Sequence, residues 1–263
     1  ITDSINYAKI IQQSILPDVK TFKKTFTDSF ILFKPRNIVS GDFYWFSLAG
    51  VNNKTKYNLS QHIIVAADCT GHGVPGAFMS MIGSEKLNQS IAEIDDLTPS
   101  NMLSFMNRKI KDSLKQEEGN SQSKDGMEIS LCFLDTDTNI LTFAGANRPL
   151  WIYRKDCTLD SVEIIKPTKA GIAGHTSADQ VFEETEIQLY KGDTVYLFTD
   201  GAPDQFGGAK NKKLTTKGLR QLLFDIQSQN MEQQGKSING FYRSWMGNTN
   251  EQVDDILIMG IRI

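Results

Sequence analysis

The chain has 263 residues, 40% of them hydrophobic, which is enough to bury the core of one large domain. Its formal net charge of −3 lacks the basic excess that contact with a phosphate backbone requires, so we expect no nucleic-acid partner. Apolar runs too short to cross a bilayer, and three cysteines without CxxC spacing, predict a cytoplasmic protein with neither a membrane span in this segment nor a disulfide framework.

The first 15 residues carry a side-chain pattern at alternating steps of four and three, which is the spacing of a coiled-coil seam. Pro17 ends the predicted helix. Two heptads leave two interpretations open, a homodimeric coiled coil that continues from an upstream sensor domain and a helix that packs on its own domain. We therefore predict a linker or coiled-coil helix at 1–17 and one catalytic domain at 18–263. The seam positions are Ile1, Ile5, Ala8, Gln12 and Ile15.

From residue 29 onward, short segments rich in aromatic and β-branched residues predict strands. Most connections are too short for a helical crossover, and the predicted helices come in pairs, so the pattern favours an α+β layered sandwich with largely antiparallel sheets. The polar run at 116–124 is predicted to be a loop. The strands are predicted at 30–33, 42–48, 62–67, 128–134, 140–144, 150–153, 162–165, 181–189, 194–198 and 256–263, and the helices at 75–92, 99–116, 215–227 and 231–245.

Aspartates stand at the ends of several predicted strands. Asp68 and Asp200 each follow an apolar strand, and Asp254 precedes the last one. If the last strand is antiparallel to the other two, these acids meet at one edge of the sheet, where Asp42 can join them. Carboxylates so placed repel one another unless a cation neutralises them, and oxygen ligands without His or Cys clusters favour magnesium, manganese or calcium over zinc. Two such ions can activate water for attack on a phosphoryl group.

Each acid also has an ordinary structural interpretation. An aspartate followed by glycine, as at Asp200, is more often a turn former than a ligand. The stretch GHGVPG at 71–76 strengthens the functional interpretation, because it bends the chain and begins a helix with Pro75 in its first turn. The unpaired amides at such a helix start can hold a phosphate group.

Five sequence motifs, which follow one another along the chain in the family's order, resemble those of the metal-dependent protein phosphatase (protein phosphatase 2C-like) superfamily, in its stage II sporulation protein E branch. The resemblance implies a four-layer αββα sandwich of two mostly antiparallel sheets flanked by helices. It also implies two divalent cations, Mn²⁺ or Mg²⁺, and hydrolysis of phosphoserine or phosphothreonine on a regulatory partner protein similar to an anti-sigma-factor antagonist. The motifs are SGDFYW at 40–45, ADCTGHGVPGAF at 67–78, AGANRPL at 144–150, LFTDG at 197–201 and VDDIL at 253–257.

The family pattern implies a role for each matching residue. Asp68 resembles the ligand that bridges both ions, and Cys69 would contribute only its backbone carbonyl. Asp200 and Asp254 resemble ligands of the first ion, and Asp42 resembles a ligand of the second, either directly or through water. The implied attacking group is a metal-bridging hydroxide, so no protein nucleophile is expected.

Further residues are weaker candidates. Arg36 is predicted to bind the substrate phosphate, and His72 to orient the phosphate or to donate a proton. The alternatives are a surface arginine and a turn histidine. Asp125 lies where some relatives place an acid for a third ion, although a loop aspartate is the simpler interpretation. Arg148 resembles part of a structural turn of the family.

Two other functions compete with this one. The segment FLDTDTN at 133–139 imitates the motif of haloacid-dehalogenase-type phosphatases, in which Asp135 would become phosphorylated. A hairpin is expected there instead of the strand-to-helix passage which that family requires. A catalytically silent, dimeric signalling module is the other alternative.

Overall fold

Two antiparallel sheets lie face to face in the computed structural model, which describes residues 2–48, 60–116 and 123–263. Strands and helices are numbered along the chain. Sheet A consists, in spatial order, of β1 (Ser29–Lys34), β13 (Ile256–Arg262), β10 (Thr194–Phe198), β6 (Leu150–Tyr153) and β7 (Glu163–Ile165). Sheet B consists of β2 (Phe43–Leu48), β3 (Gln61–Cys69), β4 (Gly126–Asp135), β5 (Ile140–Ala146) and β9 (Glu184–Gln188), with β8 (Ile172–Ala173) paired to β4.

Helices cover the outer faces of both sheets. The pair α3 and α4 packs on sheet B, and the pair α6 and α7 packs on sheet A. A short hairpin, β11 (Phe206–Gly207) and β12 (Lys212–Lys213), and a 3₁₀ turn at Leu159–Ser161 complete the described elements. The helices are α1 (Thr2–Ile15), α2 (Val19–Thr25), α3 (Gly73–Glu93), α4 (Pro99–Ser113), α5 (Gly201–Asp204), α6 (Thr215–Asp225) and α7 (Met231–Met246).

Three apolar clusters separate these four layers. Strand β3 illustrates this layering, because its successive side chains point alternately into two of the clusters. Ile63 and Val65 point to α3 and α4, whereas Ile64 and Ala66 point to sheet A. A strand buried on both faces reads as a continuous apolar run, as this one does. The predicted αββα sandwich of antiparallel sheets is confirmed.

Capping residues account for several helix boundaries. The Thr98 hydroxyl accepts the amide of Asn101 at the start of α4, and the Asn230 side chain accepts the amide of Gln233 at the start of α7. The predicted loop at 116–124 falls largely outside the described residues, since 117–122 are not among them.

Helix α1 packs on its own domain through part of the predicted seam. Gln12 is buried, and its side chain donates to the Ser40 carbonyl (2.6 Å) and the Ser80 hydroxyl (2.9 Å), and accepts the Ser40 amide (3.1 Å). The most exposed apolar side chains of α1 lie outside the seam, with Tyr7 66% and Ile10 59% exposed, and the seam residue Ile15 is 37% exposed. Of the two interpretations of this helix, the structure therefore shows intramolecular packing at Gln12. No helix within the described ranges combines the length and apolarity needed to cross a membrane.

Candidate metal centre

Three of the predicted acids line one cavity of about 470 Å³, here called the acid pocket. Asp68 is the penultimate residue of β3, Asp200 follows β10 by two positions, and Asp254 precedes β13 by two positions. Strands β10 and β13 are antiparallel neighbours, as expected, so the end of one lies beside the start of the other. The sequence interpretation placed all three acids on one sheet, and this is corrected: Asp68 belongs to sheet B, whereas Asp200 and Asp254 belong to sheet A.

Asp42 lies deeper, next to the acid pocket. It precedes β2, which pairs with β3 so that Phe43 stands opposite Ala67. The Asp42 carboxylate is 3% exposed and accepts a hydrogen bond from the Thr199 hydroxyl (2.6 Å). Burial raises the pKa of Asp42 well above its usual range, and the negative charge of Asp68 raises it further. Asp42 and Asp68 are therefore close enough to repel each other.

Asp255 holds the loop that carries Asp42. Its Oδ1 accepts the backbone amide of Arg36 (2.6 Å) and its Oδ2 accepts the amide of Gly41 (2.7 Å). The carboxylate is 2% exposed. Sequence reasoning noted Asp255 only as a neighbour of Asp254, because two adjacent acids at a strand start give no signal about which one points into the pocket. In the structure, Asp254 lines the acid pocket, whereas Asp255 binds the backbone amides of the loop that carries Asp42.

Glycines let the backbone segments of this region approach one another. A Cβ on Gly41 would lie 2.5 Å from the Gly71 carbonyl oxygen, and a Cβ on Gly76 would collide with the same oxygen. A Cβ on Gly201 would collide with the Asp255 carbonyl oxygen. The glycines of the motifs at 40–45, 67–78 and 197–201 thus bring the acid-bearing segments together.

The electrostatics of the acid pocket are those of crowded carboxylates. Burial raises the pKa of Asp68 to about 7, Arg148 opposes this shift, and Asp200 contributes to it. Burial also raises the pKa of Asp254, with Asp200 contributing. The Cys69 thiol is buried, and burial raises its pKa well above the usual range, which agrees with a residue whose thiol takes no part as a ligand.

Arg148, which the sequence analysis assigned only to a structural turn, lies among the acids of the pocket. Its Nη2 lies 2.8 Å from Asp68 Oδ2, 2.6 Å from Glu128 Oε2 and 2.8 Å from Asp200 Oδ2. The motif AGANRPL gave no indication of this contact, because the direction of a turn side chain depends on how the two sheets are stacked.

The donor set fits divalent magnesium or manganese. Asp68, Asp200 and Asp254 supply hard oxygen atoms at one cavity. A bound cation would relieve the repulsion that helps to raise the pKa values of Asp68 and Asp254. As they stand, no three His, Cys, Asp or Glu side chains of the described ranges form a ready-made coordination site. Arg148 Nη2 lies between two of these acids, 2.8 Å from Asp68 Oδ2 and 2.8 Å from Asp200 Oδ2.

The remaining candidates lie at varied distances from the acid pocket. His72 lines it, and His72 Nδ1 lies 3.1 Å from Asn37 Oδ1. Arg36 is exposed and is not among the lining residues. Asp125 accepts a hydrogen bond from the Thr70 hydroxyl (3.1 Å). Asp135 ends β4 in a hairpin and accepts the amides of the turn that follows, so the strand-to-helix passage of a haloacid dehalogenase is not present at this point.

The family model described as stage II sporulation protein E (SpoIIE) matches residues 60–263. The chain belongs to the SpoIIE family. Among its relatives is the phosphoserine phosphatase RsbU of Bacillus subtilis, 27% identical over 209 residues that make up 78% of this chain and 54% of RsbU. The chain thus spans about half the length of that relative.

Solved structures agree with the SpoIIE assignment. The SiaA-PP2C domain of Pseudomonas aeruginosa is 29% identical, with a TM-score of 0.84 over 100% of this chain and 96% of that one. The PP2C phosphatase domain of SpoIIE from Bacillus subtilis, solved with a fragment of its regulatory domain, has a TM-score of 0.64 at 16% identity, covering 90% of this chain and 63% of that one. The second comparison supports the shared fold.

Proposed function

We propose that this SpoIIE-family chain is a metal-dependent phosphatase that hydrolyses phosphoserine or phosphothreonine on a partner protein in a signalling pathway. The observation that carries the proposal is the meeting of Asp68, Asp200 and Asp254, contributed by two sheets, at one cavity. The relative RsbU is named a phosphoserine phosphatase, which supports the same reaction here.

Asp42, Asp68, Asp200 and Asp254, with the backbone carbonyl of Cys69, would hold two Mn²⁺ or Mg²⁺ ions. Such a pair supplies water activation and neutralises charge on the phosphoryl oxygens during in-line attack. Cys69 is not an activated nucleophile, since its thiol is buried with a raised pKa.

His72 and the start of α3 would orient the substrate. The start of α3 lies beside the acid pocket, and its N-cap residue His72 makes no side-chain capping bond, so the first backbone amides of the helix are available to a phosphate group. With Nδ1 of His72 beside Asn37, Nε2 is the ring nitrogen that could give a proton to the departing serine oxygen. Arg36 would reach the phosphate only from outside the pocket lining.

We infer the cellular setting from the relatives. A phosphorylated protein similar to an anti-sigma-factor antagonist is the proposed substrate, and the chain would act in the cytoplasm as the output domain of a longer protein with an upstream sensor. A homodimer formed through α1 is part of the same proposal. The exposed Tyr7, Ile11 and Phe78, on α1 and the adjacent α3, line one groove and supply an apolar surface for it.

The test is hydrolysis of para-nitrophenyl phosphate and of a phosphoserine peptide with added Mn²⁺. The wild-type chain should hydrolyse both, EDTA should abolish turnover, and Asp68→Asn should lower it by orders of magnitude while the circular dichroism spectrum stays unchanged. Asp137→Asn, an exposed acid in the distant β4–β5 turn, is the matched control and should keep wild-type turnover. An inactive wild-type chain with Mn²⁺ bound would favour the silent signalling module instead.

A further inference from the structure

Arg148 lies on the segment that passes from sheet B to sheet A, between β5 and β6. Its Nη2 is within 2.8 Å of carboxylate oxygens of Asp68, Glu128 and Asp200. One nitrogen atom is therefore surrounded by three carboxylates. Two of these belong to residues that the proposed function assigns to the metal ions.

The hydrogen bonding of this guanidinium is incomplete. A guanidinium nitrogen such as Nη2 carries two hydrogens, so it can donate to only two of the three oxygens, and the third is attracted by charge alone. Within the described residues, Arg148 Nε is buried and has no hydrogen-bond partner. A cation that leaves a buried donor unsatisfied can be exchanged for another cation at lower cost than one with all its donors paired.

Arg154 shows the contrast within the same chain. Its Nε and Nη2 donate to the two oxygens of Glu163, and its Nη1 donates to Asp193. Arg154 thus forms a bidentate pair with Glu163, and each of its three guanidinium nitrogens donates a hydrogen bond, as is typical of a structural arginine. Arg148 instead contacts three different carboxylates through the single atom Nη2, and its Nε has no partner among the described residues.

We propose that Arg148 competes with the divalent cations for Asp68 and Asp200, so that metal binding requires its guanidinium to leave both carboxylates. The inference rests on the proposed function for the assignment of these two acids as ligands. A divalent ion bound to Asp68 and Asp200 would lie close to the Arg148 guanidinium, and the two positive charges would repel each other, so the two cations compete for these carboxylates.

Glu128 provides the place to which the guanidinium withdraws. Its Oε1 accepts a hydrogen bond from Asn147 Nδ2 (3.1 Å), which fixes the carboxylate, and its Oε2 pairs with Arg148. Glu128 is not one of the predicted ligands. Arg148 can thus give up Asp68 and Asp200 and keep one ion pair at the rim of the pocket.

The test is isothermal titration of the metal-free chain with Mn²⁺. Arg148→Gln removes the competing charge and should tighten Mn²⁺ binding by about tenfold or more, the scale on which groups next to a metal change its affinity. Arg148→Lys keeps a compact, hydrated charge and should give an intermediate affinity. Tighter binding should also appear as a larger Mn²⁺-induced rise in Tm for Arg148→Gln than for wild type.

Lys124→Gln is the matched control, because Lys124 is a second cation lining the acid pocket and has no ion pair to these acids among the described contacts. It should leave the Mn²⁺ affinity within about threefold of wild type, as expected for screened surface charge. If Lys124→Gln tightens binding as much as Arg148→Gln, the effect is general repulsion and the proposal is wrong.

Unchanged or weaker Mn²⁺ binding by folded Arg148→Gln would overturn the competition and show Arg148 to be a structural link between the sheets. Should Arg148→Gln fail to fold, Arg148→Lys decides the matter, because affinity at or below that of wild type rejects the proposal. Neither result would touch the proposed function, which fails separately if the wild-type chain with Mn²⁺ bound hydrolyses no phosphoserine.

Discussion

Adjacent residues in this chain have different physical roles, and Asp254 and Asp255 show it most directly. Asp254 lines the acid pocket, whereas Asp255 is buried and accepts backbone amides of the loop that carries Asp42. Removing a buried carboxylate that accepts charge-assisted hydrogen bonds leaves those amides unsatisfied.

We therefore expect Asp255→Ala to lower the free energy of unfolding by about 2–4 kcal/mol. Asp254→Ala should change it much less, because that side chain is partly solvated and relieves repulsion when removed. Urea denaturation of the metal-free variants measures both. Equal destabilisation by the two substitutions would contradict the different roles assigned to them.

At the residue level, the sequence predicted the candidate acids but not the side chains that contact them, such as Arg148. Asp42, Asp68, Asp200 and Asp254 stand at strand ends within motifs, which is a local signal. Their assignment as ligands stays a prediction. The contact of Arg148 depends on how two sheets stack, and no spacing along the chain encodes that.

At the acid pocket, glycine allows the backbones of two neighbouring strands, β10 and β13, to come close together. The turn after β10 passes so close to the start of β13 that a Cβ on Gly201 would collide with the Asp255 carbonyl oxygen. The backbone of one of the two segments must then move, and Asp200 and Asp254 move with it.

Gly201→Ala is therefore expected to destabilise the chain by about 2–4 kcal/mol and to weaken Mn²⁺ binding. Gly240→Ala in α7 is the matched control, because its Cβ would meet no atom within 4 Å, and it should stabilise the helix by about 0.5–1 kcal/mol. Thermal unfolding with and without Mn²⁺ tests the pair. A Gly201→Ala chain as stable as wild type would refute the close approach.

Most helices and strands were predictable, and several short elements were missed. The pairs α3–α4 and α6–α7 and the strands of both sheets except β8 follow from the sequence pattern, with boundaries shifted by a few positions. Helices α2 and α5 were missed. Helix α2 has seven residues beginning after an Asp18 cap, and α5 has four, so neither is long enough to show a helical repeat.

The molecule as a whole presents an apolar surface where α1 packs against α3. Tyr7 is 66% exposed and Phe78 63% exposed, and Ile11 lines the same groove. Exposed apolar groups in one patch favour contact with another protein surface.

We expect light scattering to give a mass near twice the 29.5 kDa of one chain. Replacing Tyr7 and Ile11 by serine should shift the mass toward one chain, because the substitutions remove apolar area without touching Gln12. Gln13→Ser, on an exposed polar position of α1, should leave the mass unchanged. A wild-type chain that scatters as a monomer at all concentrations tested would exclude the dimer.

The layered architecture was predictable because helices came in pairs and strands in runs. The allocation of strands to two sheets was not, since both sheets are antiparallel and share the same apolar composition. That is why the acids were first assigned to a single sheet.

Asp68 belongs to one sheet, and Asp200 and Asp254 belong to the other. Neither sheet alone carries all three acids, so a slip of one layer across its partner would separate Asp68 from Asp200 and Asp254. On the proposed function, phosphatase turnover would then report the alignment of the two sheets, and would respond to displacements too small to alter helix content or overall dimensions.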